Sequence, residues 1–388
     1  MTHFDFTENA KRIGQNSIKW QLAEKDPDII PAWVADMDFK VFPGLKEAIE
    51  NYSEKDFYGY GYPNASLADT VIAWEKKEHN YIFSRSSLLF INDVISGIAT
   101  ALQVFTQEGD AILINDPVYP AFKKVIEQNK RQVVTNTLVE KEGQFVFDLK
   151  QFEADMIENE VKLFILCNPH NPGGRVWDKE TLLSIGKICQ KHGVIVVSDE
   201  IHQDLTLFGH KHHSFNTVDD SFKEFSIILS SPSKTFNMAA LKIAFAIIEN
   251  RTFRKAFQEK ILANHQSISN IAYEVTETVY QDGKDWLLAL RSTLEENITF
   301  VTDYFAKHAP KIKVMSPQGT YLLWLDFSKY QLSDKELYRI LKTKAKVILN
   351  EGLDYGEMGK SHARLNVATS KKLLEEIVKR IVVNLEKV

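Results

Sequence analysis

The chain of 388 residues carries 47 Lys and Arg against 52 Asp and Glu, a formal net charge of −5. It therefore offers no surplus of positive charge for nucleic acid or an anionic membrane. With 44% hydrophobic and 26% charged residues, and only 17 Gly and 11 Pro, it has material for a large core in two or three compact units rather than a linker-like or disordered chain. Two cysteines, Cys167 and Cys189, each in apolar surroundings, exclude a disulfide framework and point to a reducing, cytoplasmic setting with buried thiols.

The N-terminal stretch carries Asp5 and Glu8 and no apolar run, so it does not read as a secretory signal. The most apolar segment, 243–248, is far shorter than the roughly 20 residues a membrane-spanning helix needs. Along the middle of the chain, short apolar runs at 88–91, 111–114, 162–166, 194–197, 226–229 and 243–248 predict buried strands. Stretches with helical spacing lie between several of them. Residues 179–191 place Leu182, Leu183, Ile185 and Ile188 apolar, with Asp178 as N-cap and Gly193 as C-terminal stop. Such alternation predicts an α/β domain with a mostly parallel sheet covered on both faces. The last hundred residues predict a long helix at 286–307, a strand at 321–327 and an amphipathic helix at 371–386. A smaller α+β domain is expected there, made from both chain ends (1–45 and 286–388) beside a large domain at 46–285.

In open α/β sheets the ligand sits beyond the carboxyl ends of the strands. The ends here carry Tyr119, the run Asn168-Pro169-His170-Asn171-Pro172-Gly173-Gly174, the trio Ser198-Asp199-Glu200, and Ser231-Pro232-Ser233-Lys234. An aromatic ring, an amide, a carboxylate and a lysine flanked by hydroxyls are what pyridoxal 5'-phosphate requires. Its aldehyde needs an amine, its ring nitrogen a carboxylate, its ring a stacking partner and its phosphate N–H and O–H donors.

Those same segments resemble the signatures of the class I/II aminotransferase-like, fold-type I pyridoxal phosphate enzymes, whose mostly parallel seven-stranded sheet flanked by helices would then be the fold. Pro31-Ala32-Trp33-Val34-Ala35-Asp36-Met37-Asp38-Phe39, Ser198-Asp199-Glu200-Ile201-His202 and the run from Cys167 to Trp177 are similar, within that superfamily, to the cystathionine β-lyase-like carbon–sulfur lyases. The resemblance implies that Lys234 forms the Schiff base and moves the Cα proton, that Asp199 holds the ring nitrogen protonated, and that Tyr119 stacks on the ring, these three being the expected catalytic residues. Asn171 would donate to the phenolic oxygen, with Asn168 shaping the turn. His202 would support the carboxylate, approach the same oxygen, or serve as a structural histidine. Ser231, Ser233, the backbone of Val94 and Ile95, and Lys242 would hold the phosphate, although Asp93 and Lys242 stand where relatives often carry Gly and Arg. Tyr60 would reach the phosphate of a neighbouring subunit, making a homodimer with shared sites. Arg364, within Ala363-Arg364-Leu365-Asn366, would bind the substrate carboxylate, and Trp33 and Ala35 would line the substrate side. Glu200 reads as a structural carboxylate, and His210, His212 and His213 as a solvated loop without metal.

The implied activity is β-elimination from L-cystathionine or a related S-substituted cysteine, giving a thiol, pyruvate and ammonia. The rivals are an aminotransferase, which needs a keto-acid acceptor, and a regulatory or binding protein on the same fold.

Overall fold

The computed structural model describes residues 4–387. Seven strands form one sheet in the spatial order Leu88–Ile91, Ala244–Ile247, Ser226–Ser230, Ile195–Asp199, Leu163–Cys167, Ala111–Asp116 and Gln132–Thr137. Strand Ala244–Ile247 runs antiparallel to both of its neighbours, and the pairings from Ser226–Ser230 across to Gln132–Thr137 are all parallel. Four strands, Ala111–Asp116, Leu163–Cys167, Ser226–Ser230 and Ala244–Ile247, are buried at every position, which is why they read as unbroken apolar runs.

Strand alternation divides that apolar content between two cores. Ile112, Ile114, Leu163, Ile165, Val197 and Leu229 face one way, toward Ile98, Leu102 and Phe257. Leu113, Phe164, Leu166, Val196 and Ile228 face the other, toward Trp74, Leu182 and Ile185. Helix Lys179–His192 starts where Asp178 Oδ1 accepts the Thr181 N–H at 2.7 Å and stops at Gly193, whose φ of +66° suits a residue without a side chain.

A second, four-stranded sheet sets strands in the order Lys313–Val314, Leu322–Asp326, His362–Asn366 and Asn350–Glu351, all antiparallel. It packs with helices Lys284–His308 and Lys371–Leu385. The N-terminal part joins it: Ile30–Pro31 pairs in parallel with Val347–Ile348, and the Asn366 N–H donates to the Ala32 carbonyl. This pairing carries the following segment, 33–38, across to the carboxyl edge of the large sheet. No helix among the described residues is long and apolar enough to cross a membrane.

Candidate active site

The register places Cys167 opposite Asp199 and Asp199 opposite Leu229, while Phe245 lies opposite Ser230 and Ile91 opposite Ala244. The chain therefore leaves six of the seven strands at one edge of the sheet, Ala244–Ile247 alone starting there, and a cavity of about 370 Å³ opens at that edge. Its lining includes Tyr119, Asn171, Asp199, His202, Ser233 and Lys234 at the centre. Val94, Ile95, Ser231, Lys242 and Ala35 complete it. Eleven of the expected site residues thus converge from six segments.

Lys234 sits on a four-residue helical turn, Pro232–Thr235, pinned from several sides. The Asn237 side chain accepts the Met37 N–H and donates to the Met37 carbonyl, both at 2.9 Å. That doubled bond ties the lysine turn to the 33–38 segment. Lys234 Nζ donates to the Ala35 carbonyl at 2.7 Å, and the buried Tyr321 hydroxyl donates to the same oxygen at 2.9 Å. Desolvation first, then the positive charge of Arg364, bring the Lys234 amine down to about 8.

Across the cavity, Asp199 is buried, and burial lifts its carboxyl to about 7. Oδ1 accepts the Ile201 N–H at 3.1 Å, and Oδ2 has no hydrogen-bond partner among the described residues. Asn171 is oriented from behind: its Oδ1 accepts from Arg364 Nη1 at 3.0 Å, so the amide N–H₂ is the end left for a ligand. His202 is buried with Nδ1 unpartnered, and burial together with the charges of Lys234 and Arg364 holds its imidazole at about 3, hence neutral.

Two features of the phosphate end differ from their separate sequence readings. Asp93 turns away as the N-cap of helix Val94–Phe105: Oδ1 accepts the Ser96 N–H at 2.8 Å, while Oδ2 pairs with Lys242 Nζ at 3.3 Å. Lys242 is therefore partly neutralised. The Ser231 hydroxyl, expected as a phosphate donor, gives its proton to the Ile243 carbonyl at 2.6 Å and accepts the Ser233 N–H. Ser231 thus caps its own turn while lining the cavity, and Ser233 is the hydroxyl without a hydrogen-bond partner among the described residues.

Three expected residues lie outside the cavity wall. Arg364, buried, stands one layer behind Asn171. Beyond Asn171 it donates to the Trp33 carbonyl at 2.8 Å and to Asn350 Oδ1 at 2.6 Å, so two of the five guanidinium N–H groups, one of them on Nε, have no partner. Trp33 acts here through its carbonyl, its indole N–H being bonded to the Lys19 carbonyl. Tyr60 is fully exposed, on a loop that also exposes Phe57, Tyr58 and Tyr62.

Glu200 is a buried structural acid, accepting from Ser198 Oγ and the Phe215 N–H and bonded to His212 Nε2 at 2.9 Å. His212 thereby departs from the solvated loop expected of it, since the buried carboxylate draws it inward. Asn168 shapes its turn by donating to the His213 carbonyl and accepting the Trp177 N–H. Among the described residues no set of three or more His, Cys, Asp or Glu could hold a metal. Sequence reading missed Tyr321, Asp36 and Lys19. The last two belong to a buried ion cluster in which Lys19 Nζ lies 2.8 Å from Asp38 Oδ2 and 3.8 Å from Asp36 Oδ1. The Asp36-Met37-Asp38 run was the visible signal for it.

The family model for aminotransferase class I and II matches residues 34–381. The chain belongs to the class I and II aminotransferase family. A relative within the family is cystathionine beta-lyase PatB of Bacillus subtilis, 38% identical over 382 residues, which are 97% of this chain and 98% of that one. Among solved structures, cystalysin of Treponema denticola, which contains a pyridoxal 5'-phosphate cofactor, superposes with a TM-score of 0.96 at 30% identity over the full length of both chains. The pyridoxal phosphate-bound C–S lyase of Staphylococcus hominis gives 0.93 at 27% identity, covering 99% of this chain and 98% of that one. The family fold is thus the fold-type I architecture of pyridoxal phosphate enzymes, with its ligand edge where the cavity lies.

Proposed function

We propose that this protein is a pyridoxal 5'-phosphate-dependent carbon–sulfur β-lyase that converts L-cystathionine, or a related S-substituted cysteine, into a thiol, pyruvate and ammonia. The observation that carries the reading is a nucleophilic lysine and a buried carboxylate, with one oxygen unpartnered, lining one cavity in a chain whose relatives include cystathionine β-lyases. The cavity fits the cofactor. Asp199 Oδ2 suits a protonated ring nitrogen, Asn171 N–H₂ a phenolic oxygen, and the Tyr119 face the ring. The first N–H groups of helix Val94–Phe105, with Ser233 and Lys242, suit the phosphate.

Bound pyridoxal phosphate supplies an aldehyde that condenses with amines and a protonated ring that accepts the electron pair left when Cα–H breaks. Arg364 holds the substrate α-carboxylate through its two free N–H groups, which orients the Cα–H bond. Lys234 Nζ, held by its N–H on the Ala35 carbonyl, would take the Cα proton on its lone pair. The same proton then passes from Nζ to the departing sulfur, so that thiol leaves neutral. Asp199 keeps the ring nitrogen protonated throughout. Water completes the balance, turning the remaining three-carbon fragment into pyruvate and ammonia.

We further infer a homodimer in which a second copy covers the exposed 57–62 aromatics and receives Tyr60 at its phosphate end, since such a patch is costly to leave in water. The two free, buried cysteines suit a reducing, cytoplasmic setting. The pairing of Ile30–Pro31 with Val347–Ile348 supports a small unit drawn from both chain ends.

The test is release of pyruvate and free thiol from L-cystathionine with pyridoxal phosphate and no keto acid. Matched release is expected, and Lys234→Ala should abolish it. Amino transfer to an added keto acid in place of release would instead make the protein an aminotransferase.

A further inference from the structure

Behind the lysine turn lies a buried polar cluster that the reaction above does not use. Asp204, on the turn Gln203–Leu205 five positions after Asp199, is 1% exposed. Its carboxylate accepts three hydrogen bonds: from Trp74 Nε1 at 3.0 Å, from His79 Nε2 at 2.8 Å and from Thr235 Oγ1 at 2.7 Å. Its own carbonyl accepts from Arg291 Nε at 2.7 Å. The His79 interaction holds the Asp204 carboxyl well below the usual carboxylate range despite burial, at about 2. A buried anion that has spent its desolvation cost on three donors is a rigid anchor, because no donor can be released without exposing charge to an apolar surround.

Thr235 is the neighbour of Lys234, and it is fully buried. The next residue, Phe236, packs against Trp74 at 6.0 Å between ring centroids and against Trp286 at 5.9 Å. Trp74 therefore touches both the carboxylate and the lysine turn. The four-residue helix has too few internal hydrogen bonds to set its own orientation. Its position is set from outside, and among the described residues Thr235 to Asp204 is its one side-chain bond to a charged group.

We propose that Asp204 is a positioning residue for the reaction: through the Thr235 hydroxyl it fixes the turn that aims Lys234 Nζ into the cavity. Neither Asp204 nor Thr235 lines the cavity. Their contribution is to the placement of the amine, where an error of about 1 Å costs on the order of a hundredfold in rate. This inference rests on the lyase reading of Lys234.

The experiment uses the full chain loaded with pyridoxal phosphate and four variants: Thr235→Val, which removes the hydroxyl at nearly constant volume, Thr235→Ser, which restores it, Asp204→Asn, and Asp204→Asn with Thr235→Val. Turnover of L-cystathionine is read with the visible band that pyridoxal phosphate acquires on joining Lys234, and with the rate at which cofactor-free protein regains that band. The expected result for Thr235→Val is a fall in kcat of roughly 10- to 100-fold, KM within about threefold, and slower regain of the band. Thr235→Ser should recover most of both. Asp204→Asn combined with Thr235→Val should cost little more than the worse single variant, as for two members of one contact. Wild-type kcat and band recovery in Thr235→Val would overturn the proposal. So would a loss that Thr235→Ser fails to repair. Wild-type protein that neither forms the band nor releases pyruvate would refute the lyase reading itself, and this inference with it.

Discussion

Lys234 should titrate more than two units below an ordinary lysine in the cofactor-free protein. Burial and the guanidinium of Arg364 lower its amine from 10.5 to about 8, against the partly compensating charges of Asp36 and Asp199. At pH 7 about a tenth of the amine would be unprotonated, against roughly one part in 3,000 for an unperturbed lysine. Lower basicity also weakens the nucleophile, by about tenfold over this span if the Brønsted coefficient of ~0.4 known for thiolates applies. A net advantage of about 30-fold remains. Competitive labelling with acetic anhydride across pH 6 to 11, read at the Lys234 peptide by mass spectrometry, measures the midpoint directly and is independent of how partial burial slows the absolute rate. Reactivity should rise with pH, reach half its maximum near pH 8 and level off above about 9. Arg364→Gln removes the neighbouring guanidinium charge and should move the midpoint upward. A midpoint at or above 10, or one unmoved in Arg364→Gln, would refute the electrostatic account of this lysine.

Three further outcomes follow from the same geometry. Arg364→Lys keeps the charge but cannot serve Asn171, Trp33 and a substrate carboxylate at once, so kcat/KM for cystathionine should fall by about 100-fold or more in steady-state assays. The Asp199 carboxyl is raised from 3.8 to about 7 in the folded protein. Its protonated form therefore supports folding fully below about 3.8, and that support is lost as pH rises through 7. Cofactor-free Asp199→Asn should melt at a higher temperature than wild type at pH 8, with the gap closing toward pH 4, while turnover drops at least about a hundredfold; a lower Tm at pH 8 would contradict this. Gly97, in the first turns of helix Val94–Phe105, lies where a Cβ would meet Ile91 Cδ1 at 2.6 Å and Leu229 Cδ2 at 3.0 Å. Gly97→Ala should lower the urea midpoint by an equivalent of about 1–2 kcal/mol, overpacking outweighing the gain in helix propensity.

The sheet was legible because four of its strands are buried on both faces and so appear as unbroken apolar runs. Helix Lys179–His192 was legible from Asp178 and Gly193, local signals that need no tertiary partner. Strand Ala111–Asp116 extends two residues beyond its apolar run, since Asn115 and Asp116 continue the pairing as polar residues with Asn136 and Thr137. What could not be read was long-range pairing of polar groups. His212 looks solvated until Glu200 is found beneath it, and Asp204 joins His79, 125 positions away, to Thr235, 31 positions away. Arg364 was expected to serve the substrate alone, and nothing in the sequence shows that its Nη1 also holds Asn171 Oδ1 and so sets which way that amide points.

Asp93 and Lys242 show how such blindness distorts a site reading. Taken singly, each weakens the case for a phosphate: an acid where the anion should sit, and a point charge where a guanidinium fork is common. The structure sets them 3.3 Å apart across 149 positions of sequence, and the two departures become one. Paired, they contribute little net charge at the mouth of the cavity. Asp93 spends its other oxygen on Ser96 N–H, which caps helix Val94–Phe105 and fixes the direction of its first turn. The N–H groups of Val94 and Ile95 are then left without intrahelical acceptors at the cavity wall. The acid that looked repulsive is the residue that aims the neutral donors, so the anion at this end would be held by oriented dipoles and Ser233 more than by full charge.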